Sequence, residues 1–420
     1  MKIEKQIICE QCDLVLDVPV DKGFKVGVCP RCGFVLHHYH PMPIVYSFCY
    51  AISALVMLIT TDFLPFLSIN FSGLSNSMMV LDYTTILNND DLGVAGWLIF
   101  LFMQMFPLVA LGCIIICDVS FLLKYRNRFA GKILRLFSFC KDWSMVDVFV
   151  VGVLVSLIKL VNLVDVVYES GFWSYIIFAL FFLLAISRFH IHIMWDFFFD
   201  KVKLTRPIKS GIPAINQNFY LCPVCENIVD KTVYSECPRC GKDITDNSNT
   251  SVQRCLAFLI AAMAIYIPAN IYPMMITVYM GSGETSTIIE GVIVLWKMGS
   301  YFVSGIIFIA SICIPILKII ALLYLCFIIK SPKRAKKSRY LGVLFRIVEF
   351  IGKWSMVDVF VVAVMVSIVR IGNVMIIEPG VAMISFGSVV ILTILAAKQF
   401  NPKLLWKSNK FIYGVTVSNG

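Results

Sequence analysis

Charged residues are scarce in this chain, and that scarcity excludes most soluble folds. Only 15% of its 420 residues are Asp, Glu, Lys or Arg, whereas 59% are hydrophobic and the mean hydropathy is +0.85. An average soluble domain is about half apolar and about a quarter charged. The apolar residues also gather in runs long enough to cross a hydrocarbon layer about 30 Å thick. We therefore expect a membrane protein and exclude a soluble enzyme.

Three other features are missing. The first 43 residues are polar and cysteine-bearing and lack the short apolar core and cleavage site of a secretory leader, so we expect the N-terminus to stay in the cytoplasm. No GxxxxGK[ST] motif occurs, which argues against ATP hydrolysis. The net charge of +10 comes from basic residues beside the apolar runs, where topology and anionic headgroups account for them. We therefore expect neither ATP nor nucleic acid as a partner.

An internal repeat sets the organisation of the chain. The segment WSMVDVFVV occurs at 143–151 and again, identically, at 354–362. Upstream of it, Pro107 recurs as Pro315 and a four-cysteine cluster recurs about 210 residues later. The sequence predicts a tandem duplication in which the two copies run parallel to each other.

Each half contains four apolar segments of spanning length. They are 44–69, 93–123, 143–168 and 172–198 in the first half, and 252–279, 291–329, 354–377 and 381–400 in the second. The second segment of each half is too long for a straight span, and we expect Pro107 and Pro315 to bend it.

The distribution of Lys and Arg orients these spans. Segments 124–141 and 330–346 are strongly basic, whereas 70–96 and 279–296 contain neither Lys nor Arg. The basic loops are therefore expected inside, with both termini. The expected domains are an N-terminal zinc ribbon (1–43), transmembrane module 1 (44–198), a linker with the second ribbon (199–251), transmembrane module 2 (252–400) and a cytoplasmic tail (401–420).

Eight of the 15 cysteines form two CxxC…CxxC clusters. They are Cys9, Cys12, Cys29 and Cys32, and Cys222, Cys225, Cys237 and Cys240. One CxxC turn places two thiolates on one side of a tetrahedral ion, and a second turn completes a closed site. In a reducing cytoplasm this pattern favours two structural zinc ions over disulfides. Iron is the alternative because CPRCG resembles rubredoxin knuckles, whereas a redox CxxC would explain one pair but not two.

The fold class predicted from these patterns is an all-α polytopic membrane protein. It consists of a duplicated four-span transmembrane module, with a small cytoplasmic zinc ribbon of rubredoxin-like type before each copy.

Ionisable residues within the apolar segments are candidate functional residues, since a charge in hydrocarbon is costly. Lys318 lies in the middle of its span and follows Ser311 and Pro315. Two further candidates in the first half are Lys159 and Asp165. Lys159 is also long enough to reach the membrane surface.

The repeated WSMVD motif adds a carboxylate to each half. Asp147 and Asp358 follow Ser144 and Ser355 by three residues, which places each pair on one helical face. A lysine and an aspartate that converge between helices would form a site able to load and release a proton. The alternative is that both carboxylates only cap helices near the membrane surface.

Four elements together resemble the paraquat-inducible protein A family (PqiA/LetA): the repeated WSMVDVFVV, the duplicated cysteine clusters, PANIYPM at 268–274 and IPILK at 314–318. The resemblance covers nearly the whole chain. It implies a multi-pass inner-membrane protein of Gram-negative bacteria that works beside a periplasmic MCE-domain protein (PqiB/LetB-like) and moves phospholipid between the two membranes. Such a protein is not an enzyme, and the proton gradient is an expected energy source.

The resemblance also implies a polar network inside the second module. The family's network maps onto Ser311, Lys318, Ser355, Asp358 and Thr393. In the first half, Ala110 stands where Lys318 stands in the second. We therefore expect the lipid or proton path to favour the second half.

Two other functions stay open at this point. One is a scaffold that anchors the MCE-domain partner without transporting anything itself. The other is a redox membrane protein that uses metal-bound thiolates. A scaffold has no need of a lysine in hydrocarbon, and a redox protein predicts iron and a visible absorption spectrum.

Overall fold

The computed structural model describes residues 4–19, 26–38, 43–71, 74–82, 93–126, 129–160, 165–200, 204, 206–244, 248–279, 282–297, 299, 301–329, 334–368, 370–371 and 375–406. The helices of the first half are α1 Pro43–Phe63, α2 Gly93–Phe100, α3 Phe106–Leu122, α4 Ala130–Trp143, α5 Val146–Leu160, α6 Ser170–Arg188 and α7 Ile191–Phe198. Those of the second half are α8 Ser248–Ile271, α9 Ile288–Lys297, α10 Tyr301–Phe308, α11 Ile314–Ile328, α12 Arg334–Trp354, α13 Val357–Ile368 and α14 Val381–Gln399.

Within the described ranges, six helices are long and apolar enough to cross a membrane. They are Ile44–Phe63, Gly96–Leu122, Ser170–Arg188, Thr250–Ile271, Ile309–Ile328 and Val381–Gln399. These helices confirm the first, second and fourth predicted spans of each half, and the protein is a multi-pass membrane protein.

The second span of each half is irregular where a proline was predicted to disturb it. Leu101–Met105 and Ile309–Cys313 are π-helical turns, and Pro107 and Pro315 are each the second residue after such a turn. A proline has no N–H for the carbonyl four residues earlier, and its ring crowds that carbonyl, so the wider turn relieves the conflict. In the second half, Gly299 (φ +81°) also separates α9 from α10. The long apolar segments are thus irregular, as expected.

The third apolar segment of each half differs from a simple span. It forms α5, of 15 residues, and α13, of 12 residues, and each continues into a β-strand. At 1.5 Å per residue these helices are only about 22 Å and 18 Å long. Non-helical backbone at membrane depth is tolerated where protein surrounds it. That condition holds for α13, because Met356 to Val366 are all buried. The α5 helix is less enclosed, since Leu154 and Ile158 are exposed.

The α5 and α13 helices pack against each other and join the two halves at the centre of the molecule. The Phe149 and Phe360 rings meet edge to face with centroids 5.7 Å apart. The Ser156 hydroxyl donates to the carbonyl of Val361 at 3.2 Å. A Cβ atom on Gly152 would lie only 2.9 Å from Cβ of Phe360, so this glycine sets the close approach of the helices.

Small sheets follow the first span of each half, and hydropathy did not predict them. In the first half β5 (Leu67–Phe71) pairs with β6 (Leu74–Met78) and with β7 (Asp165–Tyr168), which follows α5. In the second half β10 (Met275–Tyr279) pairs in the same way with β11 (Ser282–Ser286) and β13 (Met375–Pro379), and β12 (Arg370–Ile371) extends the sheet. The matching topology confirms the duplication. Apolar residues of β5 and β10 continue the preceding spans, so hydropathy alone reads them as helix ends.

The remaining strands belong to the cysteine clusters. They are β1 Glu4–Ile8, β2 Val15–Pro19, β3 Val26–Val28 and β4 Val35–His38 in the first ribbon, and β8 Phe219–Leu221 and β9 Ile228–Asp230 in the second. The ribbons pack at one end of the spanning helices, here called the ribbon face. The sheets lie at the opposite end, the sheet face.

Candidate metal centres and buried polar network

Each predicted cysteine quartet comes together as one cluster. In both clusters the four Sγ atoms lie within 4.8 Å of one another. The closest pairs are 3.5 Å apart and join one turn to the other, as in Cys9–Cys32 and Cys222–Cys240. Thiolates about 2.3 Å from a tetrahedral ion lie about 3.8 Å apart, so both clusters fit such an ion. Each has four sulfur donors, which suits a closed structural site.

The four CxxC turns share one backbone conformation. The residue after the second cysteine has a left-handed φ: +63° at Asp13, +71° at Gly33, +50° at Glu226 and +70° at Gly241. Its N–H donates to the carbonyl of the first cysteine of its turn at 2.7 to 2.9 Å. This turn aims both sulfur atoms to the same side. Glycine adopts the conformation freely, and the first turn of each cluster uses an acidic residue instead.

Arg31 attaches the first ribbon to the second transmembrane half. Its guanidinium donates to the carbonyl of Cys12 at 3.1 Å and to that of Trp406 at 3.4 Å, and lies 4.9 Å from the Trp406 ring centroid. Arg346 of α12 donates to the carbonyl of Cys32 at 3.1 Å. The N-terminal ribbon therefore docks on the half that lies furthest from it in the sequence.

Arg239 makes the corresponding attachment of the second ribbon to the first half. It donates to the carbonyl of Cys225 at 3.5 Å, to the Asp196 carboxylate at 2.9 Å and to the carbonyl of Phe199 at 2.8 Å. Its guanidinium lies 6.0 Å from the Trp195 ring centroid. Neither arginine was predicted to attach a ribbon, although CPRC is repeated in the sequence and Trp195 recurs as Trp406.

The two ribbons also contact each other through the linker. The N–H of Ala214 donates to the carbonyl of Asp13 at 2.8 Å, and the N–H of Ile215 donates to the Asp13 carboxylate at 2.7 Å. Lys403 reaches the same carboxylate at 3.1 Å. Both cysteine clusters therefore belong to one continuous layer on the ribbon face.

The structure brings together two members of the predicted polar network. Lys318 is tenth in the twenty-residue span Ile309–Ile328 and is only 3% exposed. Its Nζ donates to Oγ of Ser355 at 3.4 Å. Ser355 lies in the break between α12 and α13, so unwound backbone meets the lysine at membrane depth.

The other second-half candidates are also buried. Ser311 lies in the π-helical turn, seven residues before Lys318 on the same span. Asp358 is in the first turn of α13, where a carboxylate also complements the positive end of the helix dipole. Thr393 of α14 is fully buried, and its hydroxyl donates to the carbonyl of Val390 in its own helix at 2.8 Å.

The first-half candidates do not form a matching network. Asp147 occupies the first turn of α5 and is half-buried. The buried hydroxyl of Ser144, which corresponds to Ser355, has no hydrogen-bond partner among the described residues, and Ala110 takes the place of the lysine. The structure describes only the backbone of Lys159, in the last turn of α5, and of Asp165, which starts β7. Their predicted roles lie outside the described side chains.

The first half has buried polar contacts of its own. Gln104, in the first-half π-helical turn, donates to the Asp62 carboxylate at 2.5 Å. Asp118 is completely buried beside Ser47. In the second half the positions of Ser47 and Asp118 hold Cys255 and Cys326. Among the described side chains, a lysine is buried within a spanning helix only in the second half.

Comparisons with known proteins agree with this architecture. The family model described as paraquat-inducible protein A matches residues 46–198 and again residues 252–410, one copy per half. The intermembrane transport protein PqiA of Escherichia coli strain K12 is 35% identical over 404 residues, which cover 96% of this chain and 95% of that protein.

Two more distant relatives match over a similar length. The lipophilic envelope-spanning tunnel protein A of Escherichia coli is 25% identical over 96% of this chain and 91% of its own. A probable intermembrane transport protein of Haemophilus influenzae is 26% identical over 96% of both chains. No solved structure matches. The double match to the family model, together with the full-length relatives, shows that this chain belongs to the paraquat-inducible protein A family.

Proposed function

We propose that this protein is the inner-membrane component of an intermembrane phospholipid transport system of a Gram-negative bacterium. It passes lipid to or from a periplasmic MCE-domain tunnel protein (PqiB/LetB-like). The names of its relatives support this role, since they refer to intermembrane transport and to an envelope-spanning tunnel. In this proposal the chain is not an enzyme.

The observation that carries the proposal is the Lys318–Ser355 contact. An ionisable residue at mid-span is costly and usually marks a substrate or proton path. A serine hydroxyl accepts a hydrogen bond from an ammonium and donates one to a neutral amine. Ser355 therefore holds the Lys318 side chain in both protonation states. In this proposal the proton gradient drives transport through Lys318, with Asp358 nearby in the first turn of α13.

The topology follows from the same proposal. The ribbon face, with the basic segments and both termini, is cytoplasmic, and the sheet face is periplasmic, where the MCE-domain protein docks. The five-part division at residues 43, 198, 251 and 400 places each ribbon and each transmembrane module in its own unit. Zinc occupies both cysteine clusters and stabilises the ribbon layer, because the closed four-sulfur donor set leaves no position for a reacting ligand.

Two substitutions at equivalent positions test the role of the lysine. Lys318→Met removes the amine from the second half, and Ala110→Met places the same side chain at the matching position of the first. We expect Lys318→Met to accumulate in the membrane and co-purify with the MCE-domain partner, yet to lose the outer-membrane barrier as fully as a deletion. Ala110→Met is expected to keep the barrier, and Asp358→Asn to lose it.

The opposite result separates this proposal from its alternatives. Normal barrier function in Lys318→Met, with normal abundance and partner binding, would remove lysine-based transport and favour a scaffold. Metal analysis of the purified protein separates zinc from iron, since only four-sulfur iron absorbs visible light. An iron content near two per chain would favour the redox function.

A further inference from the structure

An apolar cavity of about 30 Å³ lies between the two halves. Its first-half wall consists of Leu98, Ile99 and Phe102, from α2 and the π-helical turn. Seven residues of α13, α14 and the turn before α13 form the rest, with Gly387 on α14 at its side. At about 10–15 Å³ for each water-sized group, the cavity has room for two or three such groups in a row.

The position of the cavity restricts its occupant. The first-half wall belongs to the span Gly96–Leu122, and the α14 wall belongs to the span Val381–Gln399, so the cavity is at membrane depth. Leu98 and Ile384 are partly exposed, so it opens towards the side of the protein. Every lining residue is apolar or glycine, and cavities of this kind stay free of water. The surrounding solvent at this depth is lipid hydrocarbon.

Gly387 keeps the cavity open. A glycine inside a helix costs about 1 kcal/mol relative to alanine, so its presence calls for a reason. Close helix packing is not the reason, because a Cβ atom at Gly387 would meet its nearest neighbour, Val359, at an ordinary 3.7 Å. A methyl group would therefore fit beside Gly387, on the wall of the cavity.

The fourth span of the first half has larger side chains at the equivalent positions. At the offset of 211, Gly387 corresponds to Ile176, Met383 to Phe172 and Ile384 to Trp173. Phe172 is buried, and its ring packs against Phe66 with centroids 5.8 Å apart. The small residue at position 387 is therefore a feature of the second half and is not required by the repeated fold.

We propose that this cavity binds the end of a lipid acyl chain. The inference rests on the proposed function and locates a lipid site for it at the junction of the halves. The cavity is lined by Met356, Val359 and Phe360, which flank Asp358 on α13 and the preceding turn. A bound chain end therefore lies within about one helical turn of the break that contains Ser355.

Photolabelling with a lipid tests this site directly. The full-length protein is reconstituted in phosphatidylethanolamine vesicles that contain an analogue with a diazirine at the end of one acyl chain, and labelled peptides are identified by mass spectrometry. We expect label on the segments 356–360 and 383–391. Gly387→Ile, which introduces the first-half residue, should reduce that label at least about five-fold.

A matched control separates the cavity from ordinary contact with the bilayer. Gly112 lies in a spanning helix, and a Cβ atom there meets nothing within 4 Å. Gly112→Ile should leave the label on both segments unchanged. Met383→Phe fills the cavity from another position and replaces Gly387→Ile if that variant does not accumulate. Equal labelling of these segments in wild type and in the filled variant overturns the proposal.

The barrier assay distinguishes failure of this site from failure of the proposed function. If Gly387→Ile loses the label while Lys318→Met retains full barrier function, the acyl site stands and lysine-driven transport fails. If Lys318→Met loses the barrier while Gly387→Ile keeps both the label and the barrier, transport stands and the cavity is not its lipid site.

Discussion

The two halves of this chain use one scaffold but place different chemistry inside it. In both, the segment WSMVD forms a helix break followed by a short central helix, and a π-helical turn precedes the proline of the second span. Within that common frame the second half has Lys318 where the first has Ala110, and Gly387 where the first has Ile176. The repeated residues thus build the backbone geometry, whereas residues that differ between the halves make the polar contact and the open cavity.

At the ribbon face, in contrast to the membrane interior, the two halves make equivalent contacts. Arg31 with Trp406 and Arg239 with Trp195 make equivalent contacts, and each ribbon docks on the half that does not follow it in sequence. This crossed arrangement links the halves at the ribbon face, as α5 and α13 link them in the membrane. The duplication has therefore kept its structural contacts in both copies.

Substitution of a cysteine in either ribbon cluster should cause the largest loss of protein among the changes considered. We expect Cys12→Ser and Cys225→Ser each to lower membrane abundance several-fold, because a structural metal site contributes directly to folding and small losses of stability reduce abundance. The specific activity of the protein that remains should be near wild type. Quantitative immunoblotting together with the barrier assay measures both.

Hydrogen exchange locates the damage in each variant. Because docking is crossed, Cys12→Ser should expose α12 of the second half, and Cys225→Ser should expose α7 of the first. Faster exchange in the half that follows each ribbon in sequence would contradict the crossed contacts. Normal abundance with abolished transport would contradict a structural role for the metal.

A second comparison concerns a closely packed glycine near the start of each fourth span, Gly171 in the first half and, two positions earlier in the repeat, Gly380 in the second. A Cβ atom on Gly171 would lie 2.6 Å from the carbonyl oxygen of Pro65, and one on Gly380 would overlap that of Pro273 more deeply. We expect both alanine variants to lose about 1–3 kcal/mol of stability, with the larger loss for Gly380→Ala. Thermal unfolding of the detergent-solubilised protein measures the difference.

The control for these variants is Gly342→Ala. Its added carbon would meet the Trp406 ring at an ordinary 3.5 Å, so we expect no loss of stability. If Gly171→Ala unfolds at the wild-type temperature while Gly380→Ala does not, the backbone near Pro65 adjusts to the added carbon and the backbone near Pro273 does not.

Much of this organisation was predictable from the sequence because it depends on local patterns or exact repeats. The cysteine spacing predicted both four-sulfur clusters, and the identical WSMVDVFVV predicted the duplication. Pro107 and Pro315 predicted where the second spans become irregular, since a proline disturbs the turn that precedes it. Lys318 was predictable as a buried residue because a charged side chain at mid-span usually faces the protein interior and not the lipid.

The features that were not predictable depend on contacts between distant residues. Arg31 meets Trp406 across 375 positions, and no local pattern records which half a ribbon will contact. The third apolar segment of each half is long enough for a full span, so hydropathy alone predicted one there. The short helices and the strands that follow them depend on packing against the rest of the protein. The cavity beside Gly387 is lined by residues of both halves, Leu98 to Phe102 and Met356 to Ile391, which come together only in the folded chain.

The smallest effect is expected at an ion pair that also joins the halves. Lys398 of α14 contacts Asp142 of α4 at 3.0 Å, but their side chains are 31% and 51% exposed. Pairs of this kind contribute about 1 kcal/mol or less because water and salt screen them. Asp142→Asn removes the charge and leaves Lys398 over the Trp143 ring, 4.9 Å from its centroid. We expect its unfolding temperature to stay close to that of wild type at low and at high salt. A large, salt-sensitive loss would mean that charges on the ribbon face, rather than the buried α5–α13 contact, hold the two halves together.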